Sequence, residues 1–262
     1  MSLAYTDTAT GPTLVLLHAF PLDREMWRPQ LAALAGTARV LAVDLPGFGR
    51  TPLPATPWTV DSAAEQVGLL LDTLGLTGRI VVGGLSMGGY VALAFARRFP
   101  DRLAGLILAD TRAEPDDDAA KENRAKMIAQ AQKEGAAAVA DAMLPKLLSE
   151  KASPAVKDAV RAIGARQSPE GVAAALAALR DRPDAAPGLD QVSAPTLVIV
   201  GEHDTVTPPT LAAAMAGRVY GSELVTIPNA GHLSNLENPE AFNTAVIRFL
   251  AERAPAVKPA RV

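Results

Sequence analysis

The chain contains no cysteine. Disulfides, thiolate-bound metals and a cysteine nucleophile are therefore excluded. Histidine is also scarce, with three in 262 residues. His18, His203 and His232 stand too far apart in sequence to suggest a histidine metal cage, so no metal is expected. Aromatic residues make up only 4%. Charge of one sign is lacking as well: the net charge is −3, with acidic and basic residues interspersed. Nothing in that balance attracts nucleic acid or an anionic membrane. Long apolar runs are missing too. The stretch Ile80 to Ala96 is broken by five glycines and serines, well short of a membrane span of about 20 apolar residues. No basic start followed by an apolar run opens the chain, so no secretion signal and a cytoplasmic location are expected.

What is present is a globular composition, 49% apolar and 20% charged, rich enough for a sizeable core. The length fits one large domain, or one domain carrying an insertion. Short apolar runs recur at Thr13 to Leu17, Arg39 to Val43, Ile80 to Val82, Leu103 to Ala109, Thr196 to Val200 and Glu223 to Ile227. They lack polar alternation, as strands buried on both faces do. Segments of helical spacing lie between most of them: Ser62 to Leu74 with Asp61 as cap, Tyr90 to Phe99, and Pro239 to Ala251 with proline in the first turn. This alternation predicts an α/β fold, a mostly parallel sheet with helices on both faces. The rhythm breaks from Arg112 to Pro187, a stretch rich in Ala, Lys, Glu and Gln and punctuated by proline. About four short helices are expected there. The predicted organisation is a core of residues 1–111 and 188–262 with a helical insertion over 112–187. The tail Ala254 to Val262 is expected to fray.

Four loops carry chemistry. Gly84-Leu85-Ser86-Met87-Gly88 follows one strand and precedes a helix. A G-x-S-x-G pentapeptide arises by chance in roughly one such chain in twenty, so its context decides. A sharp strand-to-helix turn exposes the serine, and the flanking glycines remove side chains that would collide. The helix N-terminus behind it favours developing negative charge. Gly201-Glu202-His203-Asp204 follows another strand, where α/β proteins build their sites. Asn229-Ala230-Gly231-His232 follows the last strand. Ser86, His232 and Asp204 thus supply a nucleophile, a base and an acid to orient that base. Asp110, which also ends a strand, is the rival acid. The fourth loop is His18-Ala19-Phe20-Pro21. A tetrahedral intermediate needs two N–H donors, and the amides of Phe20 and Met87 are the candidates, since Pro21 has none to give. His18 reads as a brace for this loop, His203 as a surface residue, and Met26 and Trp27 as packing beneath the loop. Asp44 to Gly49 reads as a structural turn.

Taken together, His18-Ala19-Phe20, Asp44-Leu45-Pro46-Gly47-Phe48-Gly49, Gly84 to Gly89, Gly201 to Asp204 and Ala230-Gly231-His232 resemble the α/β-hydrolase superfamily over nearly the whole chain. The order Ser, Asp, His is that of the nucleophile-elbow enzymes. The resemblance implies that Ser86, Asp204 and His232 form the triad, that Phe20 and Met87 form the oxyanion hole, and that residues 112–187 are a cap. It implies no cofactor. Gly231 to Glu237 followed by Pro239-Glu240-Ala241-Phe242 looks like the 3-oxoadipate enol-lactonases. Phe20-Pro21-Leu22 looks like the cofactor-free haloperoxidase and perhydrolase esterases. Two departures stand out: Ala19 replaces the usual glycine, and the short N-terminus leaves room for one strand before Thr13.

A serine esterase acting on small to medium apolar acyl esters is the expected activity. Arg112, Arg124 and Arg166 are candidates to clamp a substrate carboxylate, but side chains of this kind on exposed helices are usually solvated. A weak clamp favours a general carboxylesterase over an enol-lactonase. Lactone hydrolysis, perhydrolysis, carbon–carbon cleavage and a triad-bearing small-molecule receptor remain as alternatives. The expected partner is a small ester or lactone, and self-association into a homo-oligomer is left open.

Overall fold

A computed structural model describes residues 2–253; the tail expected to fray lies outside the described residues. Seven strands form one sheet in the order β1-β3-β2-β4-β5-β6-β7. They are β1 (Tyr5–Asp7), β2 (Thr13–Leu17), β3 (Arg39–Val43), β4 (Ile80–Leu85), β5 (Leu103–Ala109), β6 (Thr196–Gly201) and β7 (Glu223–Ile227). The lone strand before Thr13, β1, pairs antiparallel with β3, and all other pairings are parallel. Every residue of β2, β4 and β6 is buried. Edge strand β7 departs from that pattern. It alternates partly buried and exposed residues before buried Ile227, because one of its faces packs on the core and the other meets solvent.

Successive strand residues face opposite sides, and the core divides accordingly. Val15, Leu17, Leu41, Val43, Val82, Leu106 and Val198 join one apolar cluster, which contains the inner faces of α2 (Val60–Thr73) and α3 (Met87–Arg98). Leu14, Leu16, Val40, Ala42, Val81, Ile107 and Leu197 join the other, with Phe242, Val246 and Phe249 of α10 (Pro239–Glu252). Short helices α1 (Arg28–Ala33), α8 (Pro209–Arg218) and α9 (Ser234–Glu237) complete the core. Helix α2 begins earlier than its spacing suggests. Thr59, not Asp61, caps it, in a reciprocal pair with Ser62, and Asp61 lies in the first turn, where it complements the helix dipole.

Between β5 and β6 lie four helices: α4 (Asp118–Glu134), α5 (Ala136–Leu147), α6 (Pro154–Ala165) and α7 (Pro169–Arg180). Helix α4 packs along α7, and α5 against α6. Small residues permit the second approach: a Cβ on Gly164 would lie 2.7 Å from that of Ala140.

Strand order reverses around β2: the chain moves outward to β3, then returns to the other side with β4. Ligand sites of open α/β sheets lie beyond the strand ends at such a switch point. Phe20 follows β2 and Ser86 follows β4, so both stand there.

Candidate active site

Ser86 occupies the turn between β4 and α3 with φ 54° and ψ −112°, a backbone region that L-residues rarely adopt. The turn is tight enough to dictate its glycines. A Cβ on Gly84 would fall 2.0 Å from the carbonyl oxygen of Gly88, and one on Gly88 would fall 2.0 Å from that of Leu17. The Thr111 hydroxyl donates to the Ser86 carbonyl at 2.9 Å, which fixes the turn from the β5 side. Met87 is the first residue of α3, so its N–H has no acceptor within the helix.

The structure brings Ser86, His232 and Asp204 into one hydrogen-bonded line. His232 Nε2 lies 2.8 Å from Ser86 Oγ, and His232 Nδ1 lies 2.8 Å from Asp204 Oδ2. Both His232 and Asp204 are buried. Burial pushes the Asp204 carboxyl up, but the His232 charge, its hydrogen bond and that of Thr207 outweigh this and hold it below the usual carboxylate range. Its oxygens are fully used. Oδ1 accepts from the N–H groups of Val206 and Thr207, and Oδ2 from the Thr207 hydroxyl at 2.7 Å. Thr207 was not singled out from sequence, although Asp-x-x-Thr after a strand is a spacing at which a side chain folds back on its own turn.

Asp110 directly follows β5 and makes no hydrogen bond with His232. Its carboxyl accepts from Gly201 N at 2.7 Å and is hydrogen-bonded to the Ser234 hydroxyl. The Phe20 loop is held from below: Ala19 N donates to Met26 Sδ at 3.2 Å, and the Phe20 ring meets Phe48 edge-on. His18 braces it, with Nε2 accepting from Leu45 N and Nδ1 bonded to the Ala19 carbonyl. Burial lowers the His18 pKa, which suits a neutral structural imidazole. Asp44 is buried and binds Arg24 and the Arg50 amide. His203 is exposed. Among the described residues, no three or more His, Cys, Asp or Glu side chains group in a way that could hold a metal ion. Among the described residues, no helix is long and apolar enough to cross a membrane.

The arginines considered as clamps are ion-paired, although Arg166 stays half exposed. Arg112 and Arg124, joined by Arg182, converge on buried Asp116 at 2.7–2.9 Å. Arg166 makes a bidentate contact with Asp23, which Gln167 shares. Each of these guanidinium groups is thus paired with a buried carboxylate. A cavity of about 440 Å³ lies along α3, lined by Tyr90, Leu93, Arg97, Arg182 and Leu189. None of Ser86, Asp204 or His232 lines it, so we give it no part in the chemistry.

The family model for the α/β hydrolase fold matches residues 12–239. The chain belongs to the α/β hydrolases. This hydrolase is similar to a thermophilic esterase from Thermogutta terrifontis, with 45% identity, 96% of this chain and 94% of that one covered, and a TM-score of 0.93. The enol-lactonase of Burkholderia xenovorans LB400 superimposes with a TM-score of 0.88 at 32% identity, over 95% and 96% of the two chains. The 3-oxoadipate enol-lactonase 2 of Acinetobacter baylyi is 30% identical, over 94% of this hydrolase and 91% of its own length.

Proposed function

We propose that this hydrolase is a serine esterase for small to medium apolar acyl esters. The line Ser86–His232–Asp204, with both contacts at 2.8 Å, carries the reading. In the proposed cycle His232 Nε2 takes the Ser86 proton as Oγ attacks the acyl carbon. Asp204 holds Nδ1–H and offsets the imidazolium charge. The amides of Phe20 and Met87 receive the oxyanion. His232 then protonates the leaving alkoxide. It next takes a proton from water, whose oxygen attacks the acyl-enzyme, and returns that proton to Ser86 Oγ as the acid leaves. Helices α4–α7 serve as the cap over this site, with core segments 1–111 and 188–262 beneath. The cycle needs no cofactor.

The choice of ester over enol-lactone rests on the arginines. Arg112, Arg124 and Arg166 are each committed to a buried aspartate, which favours a substrate without a carboxylate to hold. The enol-lactonase relatives keep lactone hydrolysis as the second reading. Turnover of p-nitrophenyl esters from acetate to dodecanoate, beside an enol-lactone, separates the two. Ser86→Ala should lower kcat by about 10⁴-fold or more. Near wild-type turnover by that variant would remove the serine mechanism. Preference for the lactone would replace the ester reading.

A further inference from the structure

Both neighbours of His232 are tied to the insert, Leu233 directly and Gly231 through Glu237, while the Gly231 carbonyl packs on Gly201 at the end of β6. On one side, Leu233 N donates to the carbonyl of Leu147, the last residue of α5, at 3.0 Å. On the other, Gly231 N donates to Glu237 Oε1 at 2.7 Å. The same Glu237 carboxylate accepts from Ser149 of the insert, from its N–H at 3.0 Å and its hydroxyl at 2.6 Å. The fit is close. A Cβ on Gly231 would lie 2.7 Å from Ser149 N and 2.9 Å from Glu237 Oε1. Among the described residues no cation pairs with Glu237, so the N–H and O–H donors hold its carboxylate.

We propose that Glu237 is a positioning residue for His232, and that through Ser149 it makes the placement of the imidazole depend on how the insert is seated. The proposal rests on the serine-hydrolase reading above. The physical basis is leverage. The line to Ser86 and Asp204 closes only when the His232 backbone is held within a few tenths of an ångström. Three donors, two of them from the insert, converge on one carboxylate four residues after Leu233. A shift of Ser149 is therefore transmitted to Gly231 through two oxygens on one rigid group. An insert displaced from its seat would withdraw the base, and a seated one would restore it.

The experiment compares wild type, Ser149→Ala, Glu237→Gln, Glu237→Ala and the double variant Ser149→Ala/Glu237→Ala. Two readouts are used: kcat and KM on p-nitrophenyl butyrate, and the rate at which a fluorophosphonate labels Ser86. Glu237→Ala should lower kcat and labelling about tenfold with little change in KM. Ser149→Ala should lower them about threefold. Glu237→Gln, which keeps one accepting oxygen, should fall between wild type and Glu237→Ala. The double variant should be no slower than Glu237→Ala, since both remove the same connection. Wild-type labelling rates in folded variants, losses confined to melting temperature, or multiplying losses in the double variant would each overturn the proposal. Should Glu237→Ala fail to fold, the mild Ser149→Ala and Glu237→Gln arms decide. Failure of the wild type itself to label would instead remove the serine-hydrolase reading.

Discussion

Strands β2, β4 and β6 bury every side chain, whereas α4, with 17 residues, buries only Ala131 fully. The two regions balance apolar burial and ion pairing differently. The sheet is fixed by apolar burial on both faces and by close main-chain packing, as where α3 lies on β2 at Gly88. The insert joins both apolar clusters of the core through residues such as Val172, Leu176, Leu147 and Ile163, and it is further held by carboxylates. Within the insert, Asp116 gathers Arg112 from the passage leaving β5, Arg124 from α4 and Arg182 from the passage returning to β6. Asp23 behind the Phe20 loop holds Arg166 and Gln167, and Glu237 holds Ser149. Apolar burial is undirected and resists small rearrangements collectively. A carboxylate contact is directional, so one residue can set the alignment of a whole helical layer.

The comparison breaks most sharply at Gly88. Alanine there would set its Cβ against a main-chain oxygen of β2, which no rotamer change relieves. Gly88→Ala should lose more than about 4 kcal/mol, read as failure to recover folded protein. A stable variant would show that α3 can lift from the sheet. Asp116→Asn is the matching change on the insert. It leaves nearly buried Arg182 without its counter-charge, and should cost about 3 kcal/mol in urea denaturation. Turnover of long-chain esters should suffer more than that of acetate. A loss below about 1 kcal/mol would mean that apolar packing, not Asp116, seats the insert.

The same division explains what could be read in advance. Parallel strands buried on both faces announce themselves as unbroken Val, Ile and Leu runs. The elbow glycines, the acid and the histidine stand at strand ends in a fixed chain order. Polar contacts of the insert have no such local signature. Arg166 meets Asp23 across 143 positions, and Arg182 meets Asp116 across 66, so each side chain alone reads as a solvated surface cation. Glu237 was visible as part of the stretch after His232, yet its partner Ser149 lies 88 positions away in the insert. Asp61 misled as a cap because an acid in the first turn and an acid at the cap look alike without the Thr59–Ser62 pairing.

Acid titration sharpens the comparison further, because buried carboxylates shift in opposite directions according to their partners. Burial pushes Asp116 up, but Arg124 and Arg182 outweigh it and hold its carboxyl below the usual range; Arg166 and Gln167 do the same for Asp23. Their stabilisation is present above the unfolded carboxylate range, near pH 4, and is lost as pH falls through the folded values. Asp110 behaves in reverse. Burial, followed by the charge on Asp204, raises its pKa well above the ordinary value. Folded Asp110 thus keeps a proton that the unfolded chain has already released, and it weakens folding as pH rises from about 4 toward its folded pKa. Asn at this position cannot titrate, and its carbonyl can still accept from Gly201 N. The stability of Asp110→Asn relative to wild type should therefore improve between pH 4 and 7, with a slope of at most about 1.4 kcal/mol per pH unit. Urea melts at four pH values measure it. A difference that stays constant across that range would mean that Asp110 is ionised like Asp204. The site would then hold two adjacent carboxylates against the single His232, and the line to Ser86 would carry a charge that the proposed cycle does not use.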